Sequence, residues 1–449
     1  MIVAIGLSGV VGYVLGGRAS STSADPSTDE PDAPMDAAPS ERASPPRGRP
    51  IAGAWAYRRS SAAASELSDE QRAKIEELSA LGYASGVKPV RGDTGVTAYD
   101  PDGACPGFNL YVAGHAREAI LTDMEGRPVH RWLVPPLSGV DLQERETPDG
   151  GAIRPSRHDF LGVAHLFENG DLLAVHGNSG ISKVDRDSRV IWERANGSHH
   201  DLFVAEDGTV FVVTREARMV PDYHPTEPLL EDFITVLDAD GNERSRVSIL
   251  RAFLESDFAP LLQYAPPYGD LLHTNTIEVL DGRFESRSPA FRKGNVLISL
   301  KYMSTIAIVD PEAGKVVWAL AGRWQRQHRP TVLDNGNILL FDNLGGRPET
   351  GASRVIEFDP VTQEAVWIYE GTRDNVLESH ANGSVQRLPN GNTLIIESHG
   401  GRALEVTQEK EIVWEFVNPH RAGNDGGLIA VLFDLVRIPP DFPTDWANK

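Results

Sequence analysis

Five histidines stand just before short apolar segments along the chain, and the imidazole side chain can act as a nucleophile, a base or a metal ligand. Each is followed closely by a turn and a strand-like phrase. Residues at equivalent positions of a repeated unit converge in space, so the pattern predicts a ring of imidazoles at one mouth of the fold. The five residues are His158, His200, His273, His328 and His380.

Two other interpretations of these histidines are open. The imidazoles would be structural if their Nδ1 atoms bonded to backbone at the ends of inner strands. Three imidazoles would also suit zinc or copper. Since the chain has no His-Glu-x-x-His or His-x-His spacing, no metal site is predicted.

The elements that must position these residues are six copies of a strand phrase, most of which end in tryptophan. Asn-Gly and Asp-Gly pairs separate short segments rich in Val, Ile and Leu, and such pairs supply the positive φ that tight turns require. Units this small must stack side by side or in a ring. The sequence therefore predicts an all-β, six-bladed β-propeller over residues 106–437, with the tryptophans packed between blades. The copies cover residues 108–132, 169–192, 207–249, 294–318, 335–367 and 390–414.

The remaining segments differ in character from the repeats. Residues 1–17 are apolar and predict a signal or membrane anchor, hence an exported protein tethered through its N-terminus. Residues 18–65 are rich in Pro, Ser, Ala and Asp and predict a disordered linker. In residues 66–105 a capping box from Ser68 to Gln71 predicts a helix over about Asp69–Leu81 that docks on the propeller or closes its first blade. Residues 438–449 form a C-terminal tail.

Composition excludes several classes of function. The 449 residues carry a net charge of −21 without long basic runs, which disfavours a nucleic-acid partner. The one cysteine, Cys105, excludes an intramolecular disulfide and a Cys-x-x-Cys-His haem motif. It also disfavours a quinone-cofactor dehydrogenase propeller, which commonly has adjacent cysteines. We expect small-molecule partners; the oligomeric state is open.

At this point the chain resembles the bacterial arylsulfotransferases, exported six-bladed propellers, over roughly Gly107 to Asn418. Members of that family move a sulfuryl group from an aryl sulfate to a phenol without a nucleotide donor, metal or organic cofactor. The segments that carry the resemblance are 107–132, 199–202, 273–277, 298–305, 317–322, 327–328 and 335–343.

The resemblance implies that His328 is the nucleophile, that His200 and His273 support it, and that Lys301 stands where the family has arginine. Such chemistry needs a neutral imidazole that takes the group covalently, a second histidine for proton transfer, and cations for the sulfate oxygens. Strand alternation puts Ser299 and Lys301 on one face. Arg329, His380, Asn275 and His199 are predicted to bind substrate.

The departure at Lys301 supports one further alternative. A point-charge ammonium replaces a bidentate guanidinium there. The alternative is an exported propeller that kept the fold, lost the chemistry and acts as a binding or scaffold module; in that case Lys301 would be a solvated surface lysine.

Overall fold

The computed structural model describes residues 67–79, 84–90, 92–138, 145–146, 152–153, 160–423 and 426–448. The predictions for residues 1–17 and 18–65 and for His158 lie outside these residues. Within them the structure is dominated by antiparallel strands, so the all-β class is confirmed. No helix in the described part of the chain is long and apolar enough to cross a membrane.

Six antiparallel sheets of four or five strands make up the body of the described chain. In each, Gly-containing turns connect strands whose buried Val, Ile and Leu residues pack against the neighbouring sheets. The strands, in sheet order, are as follows: sheet I, Leu432–Ile438, Phe108–Ala113, Glu118–Thr122 and Pro128–Leu133; sheet II, Val163–Leu166, Leu172–His176, Gly180–Val184 and Val190–Arg194; sheet III, Ser198–Val204, Val210–Arg218, Leu229–Leu237 and Glu243–Ser248, with Gly269–Asp270 added; sheet IV, Thr274–Val279, Val296–Leu300, Thr305–Asp310 and Lys315–Ala321; sheet V, His328–Val332, Ile338–Asp342, Arg354–Phe358 and Ala365–Glu370; sheet VI, Ser384–Arg387, Thr393–Glu397, Arg402–Val406, Ile412–Val417 and Gly95–Tyr99.

Smaller elements lie outside these sheets. Three strands form a small sheet, Gly86–Pro89, Leu428–Ala430 and Arg421–Ala422, and Arg145–Glu146 pairs with Ala152–Ile153. The α-helices are Asp69–Ser79 and Ile249–Leu254, and the 3-10 helices are Ala259–Tyr264, Pro289–Phe291, Pro348–Thr350, Ser398–Gly400 and Asp445–Asn448.

The six sheets form a closed circuit. The first strand of each sheet contacts the first strand of the next, from sheet I to sheet VI, and that of sheet VI contacts that of sheet I. Two strand exchanges close the circuit: the C-terminal Leu432–Ile438 starts sheet I, and the N-terminal Gly95–Tyr99 completes sheet VI. The predicted boundary at residue 106 is therefore wrong by one strand. It was missed because Gly95–Tyr99 is separated from its partner by most of the chain.

The repeated tryptophans pack between sheets, as predicted. The indole Nε1 of Trp132 in sheet I donates to the carbonyl of Gly170 in sheet II at 3.0 Å, and that of Trp192 in sheet II donates to Ala239 in sheet III at 3.0 Å. Trp367 and Trp414 make the same kind of bond to the following sheets. Each indole thus fixes the neighbouring turn.

The N-terminal helix has the predicted start, and its docking place is now defined. Ser68 N–H donates to Gln71 Oε1 at 3.0 Å and Gln71 N–H donates to Ser68 Oγ at 3.1 Å, which is the predicted capping box. The helix contacts the second and third strands of sheet III, where Lys74 pairs with Glu227 at 3.0 Å. It therefore docks on sheet III and does not close sheet I.

Candidate active site

Three of the predicted histidines lie where the first strands of sheets III, IV and V begin. His200 and His273 adopt left-handed backbone conformations, with φ of 58° and 52°, and in sheet V the corresponding residue is Arg329, with φ of 53°. Such conformations are strained for residues with a side chain and are concentrated at functional sites. His328 thus stands one residue earlier than its supposed equivalents, because the repeat register differs in sheet V.

The contacts of Asn343 define the tautomer of His328. The Asn343 Nδ2 group donates to the carbonyls of Ser379 and Asn382, both at 2.7 Å, so its Oδ1 atom is the acceptor. His328 Nδ1 lies 2.6 Å from that oxygen and must carry the proton. The Nε2 atom therefore holds the lone pair. It is buried and has no hydrogen-bond partner among the described residues.

His328 is held neutral by its surroundings. Burial, and next the charge of Lys301, lower the pKa of His328 from 6.5 to about 3. The backbone that precedes His328 is fixed by hydrogen bonds, since the Gln327 carbonyl accepts from Asn275 Nδ2 at 2.9 Å and from Ser299 Oγ at 3.2 Å. The imidazole is thus oriented and neutral, with its lone pair on Nε2.

His273 links a carboxylate to Lys301. The His273 Nδ1 atom makes a very short contact with Asp270 Oδ2, and the Nε2 atom lies 3.3 Å from Lys301 Nζ. The two residues meet because Thr274 pairs with Leu300 in the sheet, which brings Lys301 beside His273. Burial lowers the pKa of His273 although Asp270 opposes this effect. The neutral ring donates to Asp270 and accepts from the ammonium group.

Lys301 is a buried residue of the site. It is 7% exposed, and burial lowers the pKa of its ammonium group from 10.5 to about 8. Ser299, two residues earlier, contacts Gln327, which precedes sheet V, whereas the ammonium group of Lys301 contacts His273. The reading of Lys301 as a solvated surface lysine is wrong.

His199 lies behind His200. The two Nδ1 atoms are 2.6 Å apart, and the Nε2 atom of the buried His199 is 3.6 Å from Asp232 Oδ1. His200 in turn packs edge-on against His273, with ring centroids 4.8 Å apart. Burial, followed by the charges of His273 and His199, lowers the pKa of His200. His200 lines the cavity described below and His199 does not, so His199 is positioned to support His200 rather than to touch a substrate.

The Arg329 side chain is held by two carboxylates. Its Nη1 group makes a very short contact with Asp201 of sheet III, and its Nη2 group donates to Asp434 of sheet I at 2.9 Å. Although burial alone would lower it, these carboxylates raise the pKa of Arg329. Both amino groups of the guanidinium are already paired, which disfavours the predicted role in holding sulfate oxygens.

Some of these residues line an open cavity, whose space of about 530 Å³ includes open solvent, whereas His199, His273 and Lys301 do not line it. Its polar wall includes His200, Asn275, His328 and Arg329. The apolar wall includes Phe160 and Phe433, which stack with ring centroids 4.4 Å apart. An aromatic ring and an anionic group would each find a matching wall.

The structure places Asn275 at the cavity but not His380. Asn275 lines the cavity, but its amide nitrogen holds the Gln327 carbonyl. The side chain of His380 is 58% exposed, pairs with Glu378 at 2.8 Å and does not line the cavity. The register of sheet VI explains the difference, since the left-handed residue there is Asn382, which does line the cavity.

Several functional partners were missed by sequence reasoning. Asp270 is three residues before His273, a spacing that offered a weak signal. Asn343 belongs to a phrase that carried the resemblance, but nothing in the sequence indicated its contact with His328. Asp201 and Asp434 reach Arg329 from two other sheets, and no local pattern could have paired them.

A second histidine group lies at sheet I. Ligand atoms of His115, Glu118 and His420 fall within 4.8 Å of one another. The two rings stack 3.6 Å apart at an angle of 4°, so their in-plane lone pairs are parallel rather than convergent. Arg131 also pairs with Glu118 at 3.1 Å. This arrangement does not fit a bound cation.

Comparison with known proteins identifies a family. Residues 164–419 match the model of the family described as arylsulfotransferase (ASST), which is more than half of the chain. No curated protein matches the chain.

Solved structures give weaker likenesses. A protein of unknown function from Bacteroides caccae is 14% identical, with a TM-score of 0.45 over 69% of this chain and 93% of that one. A streptogramin B lyase is 14% identical, with a TM-score of 0.40 over 80% and 98%. The WD40 beta propeller domain of Doa1 is 14% identical, with a TM-score of 0.40 over 79% and 96%. All three TM-scores lie below 0.5, and nothing about this chain is inferred from them.

Proposed function

Since this chain belongs to the arylsulfotransferase family, we propose that it transfers a sulfuryl group from an aryl sulfate to a phenol through a sulfohistidine at His328. The observation that carries the proposal is the His328 Nε2 atom. It is buried, has no hydrogen-bond partner in the part of the chain that the structure describes, and is deprotonated because Asn343 fixes the proton on Nδ1. An imidazole in this state is a ready nucleophile at neutral pH.

In the first step the Nε2 lone pair attacks sulfur. The N–S bond forms as the bond between sulfur and the aryl oxygen breaks, and the phenolate leaves with that electron pair. The imidazole ring becomes positively charged, and the Nδ1–H bond to Asn343 at 2.6 Å stabilises it. The transferring group carries negative charge on its peripheral oxygens, as in phosphoryl transfer. Lys301 is the cation we assign to those oxygens.

In the second step an acceptor phenol loses its proton and attacks sulfur, and the N–S electron pair returns to Nε2. His200 is the residue we assign to this proton, since it lines the cavity. His199 bonds to it and approaches Asp232 with its other nitrogen. That chain of groups would stabilise a protonated His200 during the transfer.

The cavity walls support an aromatic substrate. Phe160 and Phe433 supply aromatic carbon to the apolar wall, and His200 and His328 lie on the polar wall. Flat rings pack favourably on aromatic side chains. An aryl sulfate placed against the phenylalanines would direct its sulfuryl group to the histidines.

We further propose that the closed circuit of six sheets is a six-bladed propeller with the cavity at one mouth, which the first-strand contacts between neighbouring sheets support. Export and tethering through residues 2–17 are also proposals. Their support is the apolar N-terminal sequence.

The test is sulfuryl transfer from 4-nitrophenyl sulfate to phenol by the purified protein. We expect 4-nitrophenol release that depends on phenol, no release by His328→Asn, and normal folding of that variant. A matched control is His380→Asn, which changes an exposed histidine outside the cavity and should leave the rate unchanged. No turnover by the wild type across a panel of aryl sulfates would instead favour a non-catalytic binding module.

A further inference from the structure

One guanidinium joins three of the six sheets beneath the cavity. Arg329 lies in the first strand of sheet V and contacts Asp201 of sheet III and Asp434 of sheet I. Neighbouring sheets are bound to the same carboxylates: Ser384 of sheet VI donates to Asp434 Oδ1 at 2.9 Å, and Ile277 N–H of sheet IV donates to Asp201 Oδ2 at 3.1 Å. Arg329 is therefore the central member of a network that forms the floor of the cavity.

Without Arg329, the negative charges of this floor would be incompatible with an anionic donor. Asp201 is 2% exposed and Asp434 is 6% exposed, so the field of both carboxylates is poorly screened by water. Asp434 and Arg329 both line the cavity. At a pH where they stay ionised, buried carboxylates without a counter-ion would repel the sulfuryl group of an incoming aryl sulfate.

A direct role for Arg329 in binding the transferred group conflicts with its contacts. Its Nη1 and Nη2 groups are each paired with a carboxylate. Turning the N–H that now donates to a carboxylate toward a sulfate oxygen would leave that buried carboxylate unpaired, which is costly. The backbone N–H of Arg329 is also engaged, since it donates to Thr276 Oγ1 at 2.9 Å.

We propose that Arg329 is a positioning residue that serves as the internal counter-ion of the cavity floor. It neutralises the negative charges of Asp201 and Asp434 and thereby allows an anionic donor to enter. It does not itself bind the transferred group. The proposal rests on the proposed function for the nature of the donor. It adds the residue that makes the cavity electrostatically compatible with that donor.

The test compares four proteins with 4-nitrophenyl sulfate as the probe: the wild type, Arg329→Met, Arg329→Lys, and a triple variant that combines Arg329→Met with Asp201→Asn and Asp434→Asn. A matched control is Arg387→Met. Arg387 is also mostly buried, pairs with Glu357 at 2.8 Å and joins sheets V and VI outside the cavity.

We expect Arg329→Met to raise the donor KM by at least about tenfold. Arg329→Lys should fall between it and the wild type. The triple variant, in which no buried charge is left unpaired, should fold well and recover the donor KM. Arg387→Met should lose stability without a change in donor KM.

Two results would overturn the proposal. A triple variant whose donor KM stays as high as that of Arg329→Met would show that Arg329 binds the donor directly. An unchanged donor KM in Arg329→Met would show that the floor charge does not matter. If the wild type does not turn the probe over, calorimetric binding of 4-nitrophenyl sulfate to the same proteins still tests the counter-ion role. A wild type that binds the probe but does not turn it over would contradict the proposed reaction alone. A wild type that does not bind the probe would overturn both the proposed reaction and the counter-ion role of Arg329.

Discussion

Lys301 should make this protein less stable and more active at the same time. Its side chain is buried, and the pKa of its ammonium group falls from 10.5 to about 8. The difference, 10.5 − 8 = 2.5, corresponds to about 3 kcal/mol in favour of the neutral amine inside the fold. Below pH 8 the folded protein keeps the proton and bears this cost. Between pH 8 and 10.5 the folded state releases the proton that the unfolded state still binds, so stability rises with pH.

The perturbation is Lys301→Met, which replaces the amine by an apolar side chain of similar length. At pH 7 we expect the free energy of unfolding to increase by up to about 3 kcal/mol. The gain should vanish by about pH 10.5, where the unfolded wild type also loses its proton. The rate should fall by about 10²–10³ because the cation that stabilises the transferring group is gone.

The assay is urea unfolding at pH 7 and pH 10, with initial rates of 4-nitrophenol release over the same range. The wild-type rate should fall above pH 8, in opposition to the stability. Lys301→Arg is the matched control, because a guanidinium stays charged and should remove this alkaline limb. A Lys301→Met protein that is less stable at pH 7, or a wild-type rate that is flat from pH 7 to pH 10, would refute the reasoning.

Three further predictions concern other parts of the site and fold. The pKa of His328 is lowered to about 3, so protonation of His328 should not reduce kcat/KM between pH 7 and pH 5. A fall in kcat/KM near pH 6.5 that is caused by titration of His328 would contradict this prediction. Asn343→Asp should stabilise the imidazolium form of His328 and so raise the pKa of His328. The pH profile of kcat should then gain an acid limb, and kcat at pH 6 should fall by up to about 10²-fold. An unchanged pH profile would remove Asn343 from its assigned role. Trp192→Phe deletes the indole hydrogen bond to the carbonyl of Ala239 at 3.0 Å. It should lower the free energy of unfolding in urea by about 1 kcal/mol and leave kcat unchanged. A large loss of kcat without a loss of stability would argue against a packing role for this tryptophan.

The parts of the fold that sequence reasoning predicted are those with local signals. The capping box of the N-terminal helix lies within four residues, Ser68 to Gln71, and the turn pairs and tryptophans mark each repeat. The strand exchanges at Gly95–Tyr99 and Leu432–Ile438 have no local signal, because their partners are distant in sequence. The ring of repeats was therefore predicted, but the strand exchanges that close it were missed.

The site divides in the same way. His200, His273, Lys301 and His328 were found from their phrases, and the structure brings them together. Arg329 was predicted to bind substrate, and sequence reasoning missed its contact with Asp434, 105 residues away, which disfavours that role. His380 was placed in the site by its spacing, but a register difference puts Asn382 at the cavity instead. Spacing within a repeat predicted which histidines approach the centre, and side-chain partners from other sheets determine what each one does.

The central claim is the covalent step at His328, and it is tested most directly by trapping. The protein would be mixed with 4-nitrophenyl sulfate without a phenol acceptor, quenched in alkali, where an N-sulfonated imidazole is the more durable adduct, and digested for mass spectrometry. The account predicts a stoichiometric burst of 4-nitrophenol and one added SO3 group on the peptide that contains His328, both absent in His328→Asn. Turnover by the wild type with no such adduct and no burst, or with the adduct on another residue, would contradict it.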